Sequence, residues 1–234
     1  MERRIISNSG DERMDSGGSR VSAREPLISA PWPAVVLPVI FLAIYALQAF
    51  SGESDRIVET FAFQPAAFLQ GAYAELATSL FIHGNWPHVL FNSAFALAFG
   101  APVARLFGTT PLRGLVYLIF FLVCGVLANL GYALVHMGDT ERVAVVGASG
   151  GIAGFMGAAS RLIRRRPDGG LAPFTSPTVV GMAAAWISGN VLIGLTGLAP
   201  MTGGAPIAWE AHLAGYAAGL FLIEPFARGF GRLS

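Results

Sequence analysis

Val146-Gly147-Ala148-Ser149-Gly150-Gly151 opens a hydrophobic run that ends at Ile163, just before Arg164-Arg165-Arg166. From Ser149 this run holds about fifteen residues. At about 1.5 Å of rise each that is on the order of 22 Å of helix, against about 30 Å of bilayer hydrocarbon. With the arginines at one surface, Ser149 starts its helix several Å below the other. Residues 143–147 then enter the hydrocarbon as non-helical chain, which is tolerated only inside protein or beside water. A serine at a submerged helix start, between glycines that let another backbone come close, is a candidate nucleophile. The plainer reading is an N-cap serine on a tight helix-packing surface.

Working outward, the composition is that of a membrane protein with several spans: 54% hydrophobic and 12% charged residues over 234 positions, with a mean hydropathy of +0.60. A net charge of +1 and no basic groove motif give no reason to expect nucleic acid. The single cysteine, Cys124, lies in an apolar run and has no second cysteine for an internal disulfide. Residues 1–30 are polar and of mixed charge, with Glu2, Asp11, Glu12, Asp15 and Glu25. They read as a disordered cytoplasmic tail rather than a signal or transit peptide.

Six membrane segments are expected at 32–50, 86–107, 115–136, 149–163, 179–198 and 209–226. Residues 31–228 form one helical membrane domain and 229–234 a short cytoplasmic tail. The loop 51–82 is unusually apolar around Phe61, Phe63 and Phe68 and is expected at the membrane interface. Orientation follows from arginine, because the chain has no lysine. With the N-terminus inside, the outer loops carry only Arg56 and Arg142, and every inner segment is richer. Both termini are therefore expected in the cytoplasm.

In this topology segments two, four and six all begin at the outer face, and their first turns hold rare polar residues: His88 and Asn92, Ser149, and His212. His83 lies just ahead of the second. Ionisable groups in a membrane are costly and face a cavity or one another. His88 and Asn92 are four apart and share a helix face, as do His212, Gly215 and Gly219. Gly150 and Gly154 on the fourth segment make a second small-residue surface. Packing those surfaces brings His212 to Ser149, where a neutral imidazole can take the hydroxyl proton. His88, Asn92 and the Ser149 N–H can then donate to an oxyanion. Each residue also has a structural reading: interhelical hydrogen bonds for His88, Asn92 and His212, an interfacial position for His83. His136 shows no partner in the sequence, Glu210 reads as a solvated loop acid, and Glu224 as a helix-end residue.

The pieces HGNWPHVLFN with His83, His88 and Asn92, then Gly147-Ala148-Ser149-Gly150, then Ala211-His212-Leu213-Ala214-Gly215, resemble in order and spacing the rhomboid family of intramembrane serine proteases. The resemblance implies an all-α, six-transmembrane-helix bundle with a short, submerged fourth helix and a Ser149–His212 dyad with no third acid. It implies an oxyanion site from His88, Asn92 and the Ser149 amide, a structural role for His83, and a glycine interface through Gly215 and Gly219; Gly147, Gly150 and Gly154 are expected to pack near the site. No metal or organic cofactor is expected. The implied substrates are single-span membrane proteins, cut within or beside the membrane, with lipid the other partner; a bacterial inner membrane fits the composition. Two positions depart from the family pattern. Ala74 and Glu75 stand where many members carry Trp-Arg, and Ala153 stands where an aromatic often stacks on the histidine. His212 must then be held by Tyr216 or by a neighbouring helix. The rival readings are a non-proteolytic binder of transmembrane clients on the same scaffold, and a histidine-lined transporter. The first usually lacks the serine or the histidine. The second would want a metal motif or an inverted repeat.

Overall fold

The computed structural model describes residues 30–138, 144–166, 168–197, 206–230 and 233. Residues 1–29 of the expected N-terminal tail, Arg142 and Val143 lie outside the described residues. Four helices are long and apolar enough to cross a membrane: α1 (Trp32–Phe50), α5 (Trp86–Phe107), α6 (Pro111–His136) and α8 (Pro177–Thr196). Two more complete the bundle, α7 (Ser149–Leu162) and α9 (Trp209–Gly229). Leu47, Phe50, Leu134, Val135 and Leu195 lie exposed on the outward faces of α1, α6 and α8. An integral membrane protein presents such apolar faces to lipid.

Local chemistry sets the helix starts. Asn85 caps α5, its side chain accepting from the His88 N–H at 2.8 Å, with Pro87 in the first turn. Ser176 caps α8 in the same way, accepting from the Val179 N–H at 3.2 Å. This helix therefore begins at Pro177, two residues before the expected Val179. Thr110 and Pro111 likewise start α6 ahead of the expected Leu115.

α7 sits at the centre. Every residue from Gly150 to Arg161 is buried, and α5, α6, α8 and α9 all pack on it. A helix enclosed on all sides must be small or apolar nearly all round, and half of this one is Gly and Ala. A Cβ added at Gly151 would meet the Phe121 ring of α6, and one at Gly150 or Gly154 would meet Ala128 or Cys124. Toward α9 the fit is backbone on backbone. Gly215 lies over the carbonyl of Gly150, Gly219 over that of Gly154, and Gly157 against that of Tyr216. The expected glycine surfaces do meet, with one refinement: the bare α-carbons of Gly150 and Gly154 face α6, and their carbonyls face α9.

The stretch between α1 and α5 is folded onto the bundle. It holds α2 (Ser54–Phe61), α3 (Pro65–Phe68), α4 (Glu75–Thr78) and a 3-10 turn at Ser79–Phe81. Phe63 is fully buried in a cluster with Tyr132, Ala133 and Ala211. It also forms an antiparallel bridge with Val145. The Ser79 carbonyl accepts from the Gly147 N–H at 2.9 Å, and Asn129 on α6 donates to Leu76 O and Ser79 Oγ at 2.9 and 3.0 Å. The chain leading into Ser149 is thus fixed by side chains and backbone from elsewhere, as buried non-helical chain requires.

At the other end of α7, Arg161 is buried. Its guanidinium donates to the Ala172 carbonyl at 3.0 Å and to Glu224 at 2.8 Å, and lies 4.2 Å from the Phe174 ring centroid. Glu224 also accepts from Arg228 at 2.9 Å. It is therefore the acceptor of two arginines, more than the helix-end residue expected from sequence.

Candidate active site

The approach to Ser149 turns at Gly147, whose φ of +112° is open to glycine and strained for other residues. A Cβ there would also lie 2.6 Å from His88 Nε2 and 3.3 Å from Asn92 Nδ2. Gly147 is thus needed twice, for its conformation and for the close approach of two α5 side chains. Ser149 follows as the first residue of α7. The cap position is Ala148, and no side chain caps the helix. The N-cap reading of Ser149 therefore fails, and its hydroxyl is free for another partner.

That partner is His212 in the first turn of α9, with Nε2 2.8 Å from Ser149 Oγ. The contact spans two helices whose spacing is fixed by the Gly215 and Gly219 packing. A cavity of about 890 Å³ opens beside it. His88, Asn92, Gly147, Ser149 and His212 all line this cavity, so four expected polar groups from three helices share one space. The Asn92 amide nitrogen is buried with no hydrogen-bond partner among the described residues. An unmet buried donor costs about 1–3 kcal/mol, a cost that an oxygen anion arriving in the cavity would remove. Apolar side chains, among them Phe91, Phe95, Ile152 and Met156, also line it.

His83 stands behind these groups. It is fully buried, edge-on to the His88 ring at 5.2 Å and beside Phe41 at 5.7 Å. Gln48 on α1 clamps its backbone, donating to the His83 carbonyl at 2.8 Å and accepting from its N–H at 3.3 Å.

Two expectations need correction. His136 does have a partner: its Nε2 lies 3.3 Å from Glu210 Oε1, and its ring stacks on Tyr132 at 4.1 Å. Glu210 is accordingly a first-turn residue of α9 held against the end of α6, not a solvated loop acid. The two helix ends meet at the rim of the cavity, which both residues line.

The sequence places α8 as the fifth segment but does not show that its side chains reach His212. Asn190 Oδ1 lies 2.8 Å from His212 Nδ1, and the Trp186 ring lies 6.0 Å from the His212 ring. The Trp186 indole N–H makes a long bond, 3.4 Å, to the His212 carbonyl. Tyr216, one turn after His212, stacks with Trp186 at 6.3 Å. With Ala153 in the usual aromatic position, the ring beside His212 comes from α8 instead. The one available signal was an asparagine four residues after a tryptophan inside an apolar run.

The sequence model described as the Rhomboid domain matches residues 70–228 of the chain. The matched span runs from before His83 to the end of α9 and includes every residue that lines the cavity. No curated protein matches.

Proposed function

The chain belongs to the rhomboid family, and from that premise we propose that it is an intramembrane endopeptidase cutting single-span membrane proteins near the outer face. It is a serine protease with the Ser149–His212 pair as its dyad. The observation that carries this reading is the 2.8 Å hydroxyl–imidazole contact between α7 and α9. The neutral imidazole takes the Ser149 proton as Oγ attacks the scissile carbonyl, then gives it to the leaving amine, and water releases the acyl group by the reverse steps. His88, Asn92 and the Ser149 N–H donate to the oxyanion. A first-turn N–H has no acceptor within its own helix, and the helix N-terminus adds partial positive charge.

In this reading α1, α5, α6, α8 and α9 cross the membrane and the shorter α7 begins beneath the outer leaflet. At 14 residues it covers about 21 Å, less than the hydrocarbon thickness. The arginine distribution supports cytoplasmic termini and an outer opening for water. A helical carbonyl is covered and already hydrogen-bonded, so the scissile segment must unwind, and substrate helices weakened by Gly, Ala, Ser or Pro are favoured. Lipid and membrane proteins are the partners; a bacterial inner membrane is the setting that the composition supports.

The test is reconstitution in liposomes with a panel of tagged single-span proteins. Cleavage confined to segments with helix-weakening residues supports the proposal, and a panel left intact by the active protein, scored by Ser149 labelling, sinks it. A non-proteolytic client binder would retain the panel without cutting any member. Within the same assay Asn92→Ala should lower kcat by about 10²–10³-fold with little change in KM, as for other single oxyanion donors.

The gate is α8, which packs on α7 and α9 and buries only Val179 and Asn190. The cavity runs between it and Phe91 and Phe95 of α5. A thiol crosslink joining α8 to α5 should block cleavage of membrane substrates and leave labelling of Ser149 by a small fluorophosphonate intact. Full proteolysis with the helices joined would discard the gate.

A further inference from the structure

Asn190 is 3% exposed, on a helix that otherwise buries only Val179. An amide set into the one inward face of a lipid-facing helix requires partners, and it has two. Its Nδ2 donates to the Trp186 carbonyl at 2.9 Å. That carbonyl is an acceptor only, so the amide has one workable orientation, with Oδ1 turned toward His212. Oδ1 is itself an acceptor only, and it lies 2.8 Å from His212 Nδ1. The imidazole must therefore carry its proton on Nδ1, which leaves the Nε2 lone pair facing the Ser149 hydroxyl at 2.8 Å.

We propose that Asn190 is the positioning residue of His212, making a Ser149–His212–Asn190 chain across α7, α9 and α8. The proposal rests on the dyad reading above and adds a third member that the two-residue scheme does not contain. A neutral amide does this task in Cys–His–Asn proteases. In a bilayer it has an advantage over a carboxylate, because it fixes the tautomer without burying a charge. It also supplies what Ala153 cannot, since a methyl group offers neither stacking nor a hydrogen bond to the imidazole. The indole of Trp186, one turn before Asn190, flanks the same ring, so α8 holds His212 by both an edge and a face.

The test uses the full-length protein in detergent and a fluorophosphonate reporter, which needs no knowledge of the substrate. Ser149 Oγ attacks phosphorus, fluoride leaves, and the hydroxyl proton passes to His212 Nε2. The inactivation rate and the reporter's apparent affinity are measured against pH for wild type, Asn190→Ala, Asn190→Asp and Ser149→Ala. The other ionisable groups sharing the cavity with His212 are His88 on α5, Tyr132 and His136 on α6 and Glu210 on α9. Among the described residues α7 and α8 add none there. All four are unchanged in every variant.

Asn190→Ala should slow inactivation by at least about 10-fold with affinity within about twofold, because the imidazole loses its tautomer and its aim. Asn190→Asp should recover most of the rate, and its acid limb should move up by about one pH unit or more, since a carboxylate beside an imidazole favours its charged form. An alanine variant within about twofold of wild type overturns the proposal. So does an aspartate variant whose acid limb has not moved, and that second result decides alone if the alanine variant does not fold. Labelling of Ser149→Ala would instead refute the dyad itself, whatever the Asn190 variants do.

Discussion

Ser149→Ala and His212→Ala should each lower peptide-bond cleavage by at least about 10⁴-fold, and the double variant should be no worse than either single one, because the two groups act as a unit. The serine variant should also lose all fluorophosphonate labelling. Stability should barely respond. Ser149 Oγ caps no helix; its hydrogen bond to His212 lies at the edge of an open cavity, so its loss is worth about 1 kcal/mol. That corresponds to a melting shift of only about 2–4 °C. The experiment pairs gel-based cleavage of a reconstituted substrate with thermal unfolding read by a maleimide dye. Cys124 suits that readout, since it is the only cysteine in the chain and is buried in α6. Cleavage that survives either substitution would show that the hydrolysis belongs to other groups. An unfolded Ser149→Ala protein would return the hydroxyl to a structural role.

The dyad was legible because its chemistry is costly where it stands. His88, Asn92, Ser149 and His212 are conspicuous among Leu, Ala and Phe, and the Gly215–Gly219 spacing shows which face of α9 comes close to a neighbour. The limits of α1 and α5 were legible too, since Pro33 and Pro87 mark the starts and polar residues follow the ends. The start of α6 was harder. Arg113 belongs to its first turn, its guanidinium donating to the Phe107 carbonyl at 2.9 Å, whereas hydropathy alone places a charged residue outside a span. The folding of 51–82 was not legible. Helices of four residues have no periodicity to detect, and what orders them is distant in sequence: Phe63 pairs with Val145, and Asn129 with Ser79. Asn190 was hidden for the same reason. Nothing near it in the chain says that its helix will lie against His212, and only the packed structure supplies the partner.

Among the described glycines, Gly219→Ala should be the most damaging added methyl. An added Cβ there would overlap the carbonyl oxygen of Gly154, with the Gly154 carbonyl carbon and α-carbon next in its path. Neither can turn aside as a side-chain tip could, so the two helices must separate. Such overpacking costs about 3 kcal/mol, or about 6–12 °C of melting temperature in a chain of this size. His212 rides on the same helix two turns earlier, and a displacement of about 1 Å at a reacting pair costs about 10²-fold in rate. Activity should therefore fall by that much even below the melting temperature. Gly181→Ala is the control. That residue is exposed on α8 with nothing within 4 Å of the added atom, so its stability should hold or rise by up to about 1 kcal/mol through helix propensity. The two variants differ in nothing but where the methyl lands. If Gly219→Ala unfolds and cleaves like Gly181→Ala, then close contact of α7 with α9 is not what holds the hydroxyl to the imidazole.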